Sequence, residues 1–322
     1  MSHDQFEVLS NQAVAVCAVA YFLALLSHLV EWAAARSVPV ERSEATSGSA
    51  VAEQGGGVDV LERVDVDTAR VERFSRLGVV LTVVAAGVHL VAVVARGLAA
   101  DPVRVPWGNM YEFTLTATLM VTLGYLLLYR RFALSWLSPV VTAFVLVTLM
   151  IDVLLLYTPV VPLRDALQSP WLVIHVIAAV IATGAFTIGG MCSALYLVKD
   201  WRLRAGAVKP GGYLSRLPDL DGLDRMAYRT HAFAFPVWTF AALIAGPIWA
   251  QHAWGRYWGW DPKEVWAFIT WVVYAAYLHA RATAGWKGRA AAIVALIGLA
   301  TLWFNFVGIN FFFGSGSQHS YA

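Results

Sequence analysis

Residues 172–198 read LVIHVIAAVIATGAFTIGGMCSALYLV, a run of 27 residues without one Asp, Glu, Lys or Arg. At ~1.5 Å rise per residue, a helix of that length spans ~40 Å, more than the ~30 Å hydrocarbon core of a bilayer. Further apolar stretches flank it on both sides, so spans are expected near 13–30, 78–98, 113–129, 135–157, 172–198, 232–250, 265–280 and 291–312. The expected fold class is all-α: a polytopic integral membrane protein of about eight transmembrane helices, with a Trp-rich outer segment between helices six and seven. Composition agrees. The 322 residues are 59% hydrophobic and 14% charged, against ~25% charged in soluble domains, which excludes a water-soluble enzyme. A net charge of +2 gives no reason to expect nucleic acid as a partner.

Lys and Arg orient the spans. Of 23 such residues, 18 fall in the loops after spans one, three, five and seven. The remainder, Arg96, Arg104, Arg164, Arg256 and Lys263, fall on the other side. The positive-inside rule then makes the first set cytoplasmic and places both termini outside. Met1–Gln12 has no Lys or Arg for a signal-peptide n-region, so the first span is expected to stay in the protein. Cys17 and Cys192 lie far apart inside apolar runs and read as small buried hydrophobes. Residues 38–67, with scattered Gly, Glu and Asp, read as a flexible cytoplasmic linker. Three regions are expected: 1–77, the first helix and its loop; 78–171, helices two to four; and 172–322, the core carrying the Trp-rich segment.

That segment runs Trp254-Gly255-Arg256-Tyr257-Trp258-Gly259-Trp260-Asp261-Pro262-Lys263-Glu264, followed by Trp266 and Trp271. Asp261, Pro262 and Glu264 fit N-cap, N1 and N3 of helix seven, a capping box, so Asp261 reads equally as a cap or a ligand contact. Interfacial anchoring explains scattered tryptophans. Here four aromatics, Trp254, Tyr257, Trp258 and Trp260, fall within seven residues beside two glycines. That density suits a platform for a large planar ligand, with Arg256 able to meet an anionic edge.

Three histidines bear on this reading. His175 lies just inside span five and His319 follows span eight, both on the outer side with the tryptophans. Two imidazoles from different helices are what a planar macrocycle's iron needs on its two faces. His279 lies 15 residues beyond Glu264, ~22 Å deeper along helix seven, and an ionisable residue there is a functional candidate. The plainer alternatives are a terminal tail for His319 and snorkelling beside Arg281 for His279. His28 and His89 read as helix-packing hydrogen bonders, and His3, His231 and His252 as solvated or interfacial.

The string from Trp254 to Glu264, with Trp266-Ala267-Phe268-Ile269-Thr270-Trp271 and Tyr277-Leu278-His279-Ala280-Arg281, closely resembles the WWD domain of haem-handling proteins. Within these it resembles the CcsA (ResC) family of System II cytochrome c biogenesis, over roughly the last 150 residues. Pro106-Trp107-Gly108-Asn109-Met110-Tyr111-Glu112 resembles a further family segment, P-x-x-N-x-Y-E. The resemblance implies haem b as the bound group. His175 and His319 would be its outer axial ligands, the segment with Trp254, Arg256, Trp258, Trp260 and Asp261 its seat, and His279 an internal membrane haem ligand. It implies a CcsB (ResB) type membrane partner that completes the internal site, an apocytochrome c as client, and a bacterial plasma (inner) membrane. His252 and the 38–67 linker depart from the family pattern.

The implied activity is export of haem across the membrane and its presentation to the CxxCH motif of apocytochrome c for thioether attachment, as part of a cytochrome c synthase (haem lyase). Two other classes remain. A bis-His cytochrome b-type electron carrier needs histidine pairs at matched depth, which His28, His89 and His279 do not obviously supply. A transporter of an amphipathic solute needs broken helices near the midplane, and Gly246-Pro247 is the convincing break.

Overall fold

The computed structural model describes residues 1–36, 57–162, 167–209 and 211–313, of which 57–67 by their backbone. The described residues form helices and connections only. In chain order these are α1 (His3–Ala34), α2 (Thr68–Leu98, its backbone helical from Gly57), α3 (Met110–Tyr129), α4 (Leu134–Leu156), α5 (Pro170–Arg204), α6 (Leu220–Trp254), α7 (Pro262–Thr283) and α8 (Arg289–Phe312). Each contains one of the eight expected spans to within a residue, the ends being longer because amphipathic first and last turns continue past the apolar run. Seven are long and apolar enough to cross a membrane. The remaining helix, α7, has 22 residues and so ~33 Å of length, but Lys263, Glu264 and Arg281 make it less apolar. One expectation is corrected: the linker 38–67 ends earlier, because 57–67 already belong to the helix of α2. Residues 38–56 lie outside the described residues.

Helix starts follow local chemistry. Ser2 and Gln5 form a capping box on α1, Asn109 caps α3, and Ser169 caps α5 ahead of Pro170, each satisfying backbone N–H groups that a helix leaves without intrahelical acceptors. The helices then pack through small residues. Ala13, Cys17, Ala85 and Ala92 lie in one core with Leu115, Leu119, Val141 and Leu149, joining α1–α4. A second core joins α5–α8 through Ala182, Phe186, Ala234, Trp238, Tyr274 and Ala295. Small side chains let backbones approach closely, which lipid-embedded helices use in place of a hydrophobic driving force. Leu127, Leu154 and Phe312 face outward, 75–80% exposed, where a lipid chain would meet them. Both cysteines are buried and free.

Among the described residues three turns are widened to π geometry: Asp152–Leu156 in α4, Ala241–Ala245 in α6 and Phe304–Gly308 in α8. The cause in α6 is local. Pro247 has no N–H for the carbonyl four residues back, and Gly246 N–H instead bonds Ala241 O five residues back. These widened turns of α6 and α8 help line the cavity described next.

Candidate functional site

α6 ends at Gly255, whose φ of 72° turns the chain out of the helix at no steric cost. The next six residues fold back over the bundle end and re-enter as α7. Glu264 holds this turn, its Oε2 accepting from Gly259 N at 2.7 Å and Asp261 N at 3.1 Å. Asp261 Oδ1 accepts from Lys263 N at 3.0 Å, completing the expected capping box. Trp260 has a φ of 57°, a left-handed conformation disfavoured for a bulky residue, and its indole is 70% exposed. It meets Trp258 edge to face at 5.9 Å. At Gly259 a Cβ would sit 2.4 Å from the Arg256 guanidinium, so glycine there is what lets that cation lie on the backbone.

Beneath the turn lies a cavity of about 190 Å³, walled by Trp107 and Phe113 near the start of α3, His175 of α5, Trp238 and Trp249 of α6, Tyr257 and Trp258 of the turn, and Asn305 and Phe306 of α8. Among the described residues, His175 is the imidazole of this wall. Nδ1–H donates to Ala241 O at 2.9 Å, and the ring lies near-parallel to Trp249, 16° between planes and 5.9 Å between centroids. Trp254 packs edge-on against Trp249 at 4.8 Å. A histidine whose Nδ1–H is given to a carbonyl carries its lone pair on Nε2, the tautomer that ligates metals. Ligand pockets are usually ~300–1,000 Å³, so a ligand of that size would fill this cavity and extend past it, Tyr257 in its wall being exposed.

Two residues of the wall, Asn109 and Asn305, each carry a buried polar atom, Nδ2 and Oδ1 respectively, with no hydrogen-bond partner among the described residues. An orphan of this kind costs ~1–3 kcal/mol. Lys263 also lines the cavity. Burial pushes its ammonium down to about 8, against the opposing pull of Asp261. Beside the cavity, Glu112 is a buried hub, accepting from Gly108 N at 2.8 Å, from Arg104 at 2.5 Å and from Arg96 at 3.4 Å. Arg96 reaches on to Glu7 at 3.3 Å. The charged residues of the P-W-G-N-M-Y-E stretch and its surroundings thus lock the start of α3 to α1 and α2.

The structure brings together His175, Trp254 and Trp258, and holds Asp261 as a buried cap beside them. Trp260 and Arg256 sit at the exposed rim. His319 lies outside the described residues. His279 is on α7 near the opposite end of the bundle, exposed, in the last turns before the helix ends at Thr283. Arg281 there pairs with Asp224 at 2.6 Å. His89 is a packing hydrogen bonder, Nε2 to Leu115 O at 2.9 Å, and His28 pairs with Glu31 at 3.2 Å. His231 is a correction. It is fully buried between Phe186, Tyr274 and Tyr277, because Gly189 on α5 leaves room for its ring, 2.6–2.9 Å from where a Cβ would be. Trp107, Trp238, Trp249, Lys263 and Asn305 were not expected in the site. Of these, Trp107 lies in the P-W-G-N-M-Y-E stretch, beside Asn109, and Lys263 in the Trp254–Glu264 string; Trp238, Trp249 and Asn305 lie in no quoted motif.

A family model for the cytochrome C assembly protein matches residues 107–315, well over half of the chain. The chain belongs to the cytochrome c assembly protein family. It is 35% identical over 244 residues to the cytochrome c biogenesis protein CcsA of Prochlorococcus marinus, covering 67% of this chain and 75% of that one. To the CcsA of Chlamydomonas reinhardtii it is 40% identical over 161 residues, 50% of this chain and 43% of that one. To that of Guillardia theta it is 41% identical over 174 residues, 50% and 57%. The chain therefore spans about half the length of the last two relatives. Among solved structures, Cytochrome c Heme Lyase CcmF superposes with a TM-score of 0.62 at 17% identity, covering 95% of this chain and 47% of that one, a likeness of fold. Cytochrome c biogenesis is accordingly the process in which this multi-pass membrane protein takes part.

Proposed function

We propose that the cavity and the tryptophan turn above it seat haem b as a substrate and present it for covalent attachment to an apocytochrome c. The observation that carries this reading is the fixed tautomer of His175, locked by Ala241 O inside a wall of indoles. One imidazole with Nε2 as donor and a flat aromatic surround suit a planar iron macrocycle. His319 is the proposed second axial ligand. Thioether formation is an addition: each thiol's sulfur bonds one vinyl carbon while its hydrogen goes to the other, so no residue of this chain need act as oxidant or base. Positioning is then the protein's contribution. Trp254, Trp258 and Trp260 orient the ring, Arg256 meets its rim, and Asp261 keeps the turn in shape by capping α7.

The orientation proposed from the Lys and Arg bias places the tryptophan end outside a bacterial inner membrane. His279, exposed on α7 toward the other end, would serve an internal haem site completed by a CcsB (ResB) type partner, and haem would pass outward by it. The assembly would act as a cytochrome c synthase. The test is the absorption spectrum of the chain purified with its partner. A Soret band with low-spin bis-imidazole features, lost in His175→Ala or His319→Ala together with cytochrome maturation, is the expected result. A complex that stays colourless with added haem, or full maturation in either variant, rejects the reading.

A further inference from the structure

We infer that the start of α3 provides a carboxylate-binding subsite, in which Asn109, aided by Lys263, takes one acidic side chain of the bound tetrapyrrole. The inference rests on the haem reading above and specifies which group enters which wall.

Asn109 carries the argument. Its side chain is 7% exposed and lines the cavity. Oδ1 is committed as the N-cap of α3, accepting from Glu112 N at 2.9 Å. That bond settles which end of the amide is which, because only oxygen can accept there. Nδ2 is therefore a donor, buried and with no acceptor among the described residues. A buried donor left without a partner, on a residue that lines the cavity, is a point at which a small shift of the amide would offer a ligand acceptor its hydrogen bond. The rest of the cavity wall is mostly apolar, with Trp107, Phe113, Leu172, Trp249 and Phe306, which suits an acceptor carried on an otherwise apolar ligand.

Charge favours a carboxylate over a neutral carbonyl. Lys263 is a cation of the same wall whose charged form burial penalises and Asp261 favours, and an incoming anion would favour it further. Glu264, also in the wall, is turned to the backbone by its bonds to Gly259 N and Asp261 N. Asn305 Oδ1, the second orphan among the described residues, is an acceptor and would take its hydrogen bond from a water bound with the carboxylate. The P-W-G-N-M-Y-E stretch thus has two functions, a buried ion hub at Glu112 and a ligand contact at Asn109.

The test uses the full chain in detergent, titrated by absorbance with haemin and, separately, with haemin dimethyl ester, which lacks the acids but keeps iron and ring. The variant is Asn109→Asp, since Asp caps a helix as well as Asn while replacing the donor by a like charge. The wild type is expected to bind haemin about tenfold more tightly than the ester, and the variant to lose about tenfold for haemin with the ester unchanged, the size of one charge-assisted hydrogen bond. Equal haemin affinity in the two proteins overturns the subsite while leaving the haem reading intact. Binding of neither pigment by the wild type rejects both. A parallel loss for both pigments in the variant would also overturn the inference, because it would mean that the substitution acts on the fold.

Discussion

The imidazole of His175 on α5 donates its Nδ1–H to the carbonyl of Ala241 on α6 at 2.9 Å. That carbonyl also accepts from Gly246 N–H in the widened turn. One backbone irregularity, forced by Pro247, thereby fixes the tautomer of the proposed ligand.

His175→Gly should consequently remove haem retention while leaving the fold in place, and added imidazole should restore the Soret band by occupying the vacated space against Trp249. Retention of haem by the glycine variant without imidazole would exclude His175 as a ligand.

Glu264 ties two backbone donors of the tryptophan turn. Glu264→Ala should cost ~0.5–2 kcal/mol, as losses of helix caps do, and should shift tryptophan emission to the red as the turn opens. Glu264→Gln retains an acceptor and should lie between. Thermal unfolding with fluorescence detection decides, and unchanged emission in Glu264→Ala would show that the turn is held elsewhere.

Gly189 and His231 are a matched pair. A Cβ at 189 would lie 2.6 Å from the imidazole Cε1, and the ring is hemmed in by Phe186, Tyr274 and Tyr277. Gly189→Ala should destabilise by ~1–3 kcal/mol, the usual cost of overpacking. The pair Gly189→Ala with His231→Ala should recover part of that loss, measured by denaturation in mild detergent. Additive losses in the double variant would mean that the two do not share one space.

The eight helices were legible because each is a continuous apolar run bounded by Arg, Lys, Pro or a capping residue, and such signals are local. The capping box Asp261/Glu264 was legible for the same reason. The cavity was not. Its walls come from α3, α5, α6, α7 and α8, and nothing near Trp238, Trp249 or Asn305 in the chain marks them as neighbours of His175. His231 was misplaced because its burial depends on a glycine 42 positions earlier, which no helical periodicity within α6 reports. The widened turn before Pro247 left a sequence sign, Gly246-Pro247, but not the sign that its carbonyl would meet an imidazole.

Lys263 gives a pH dependence with a definite direction. Burial lowers its folded-state value to about 8 from an ordinary 10.5. Between those two values the unfolded chain holds a proton that the folded chain has released, so this group's contribution makes stability rise as pH increases from about 8 to about 10.5. Ligand binding runs the other way. A carboxylate prefers the ammonium form, which predominates below about 8, so affinity for haemin should weaken as pH rises through about 8. The dimethyl ester shares the iron chemistry but not the acids, and should show no such weakening beyond what iron hydroxide formation imposes on both pigments. Lys263→Met should flatten the difference between the two pigments across that range. A difference that persists unchanged in Lys263→Met would assign the titration to another group and remove Lys263 from the subsite.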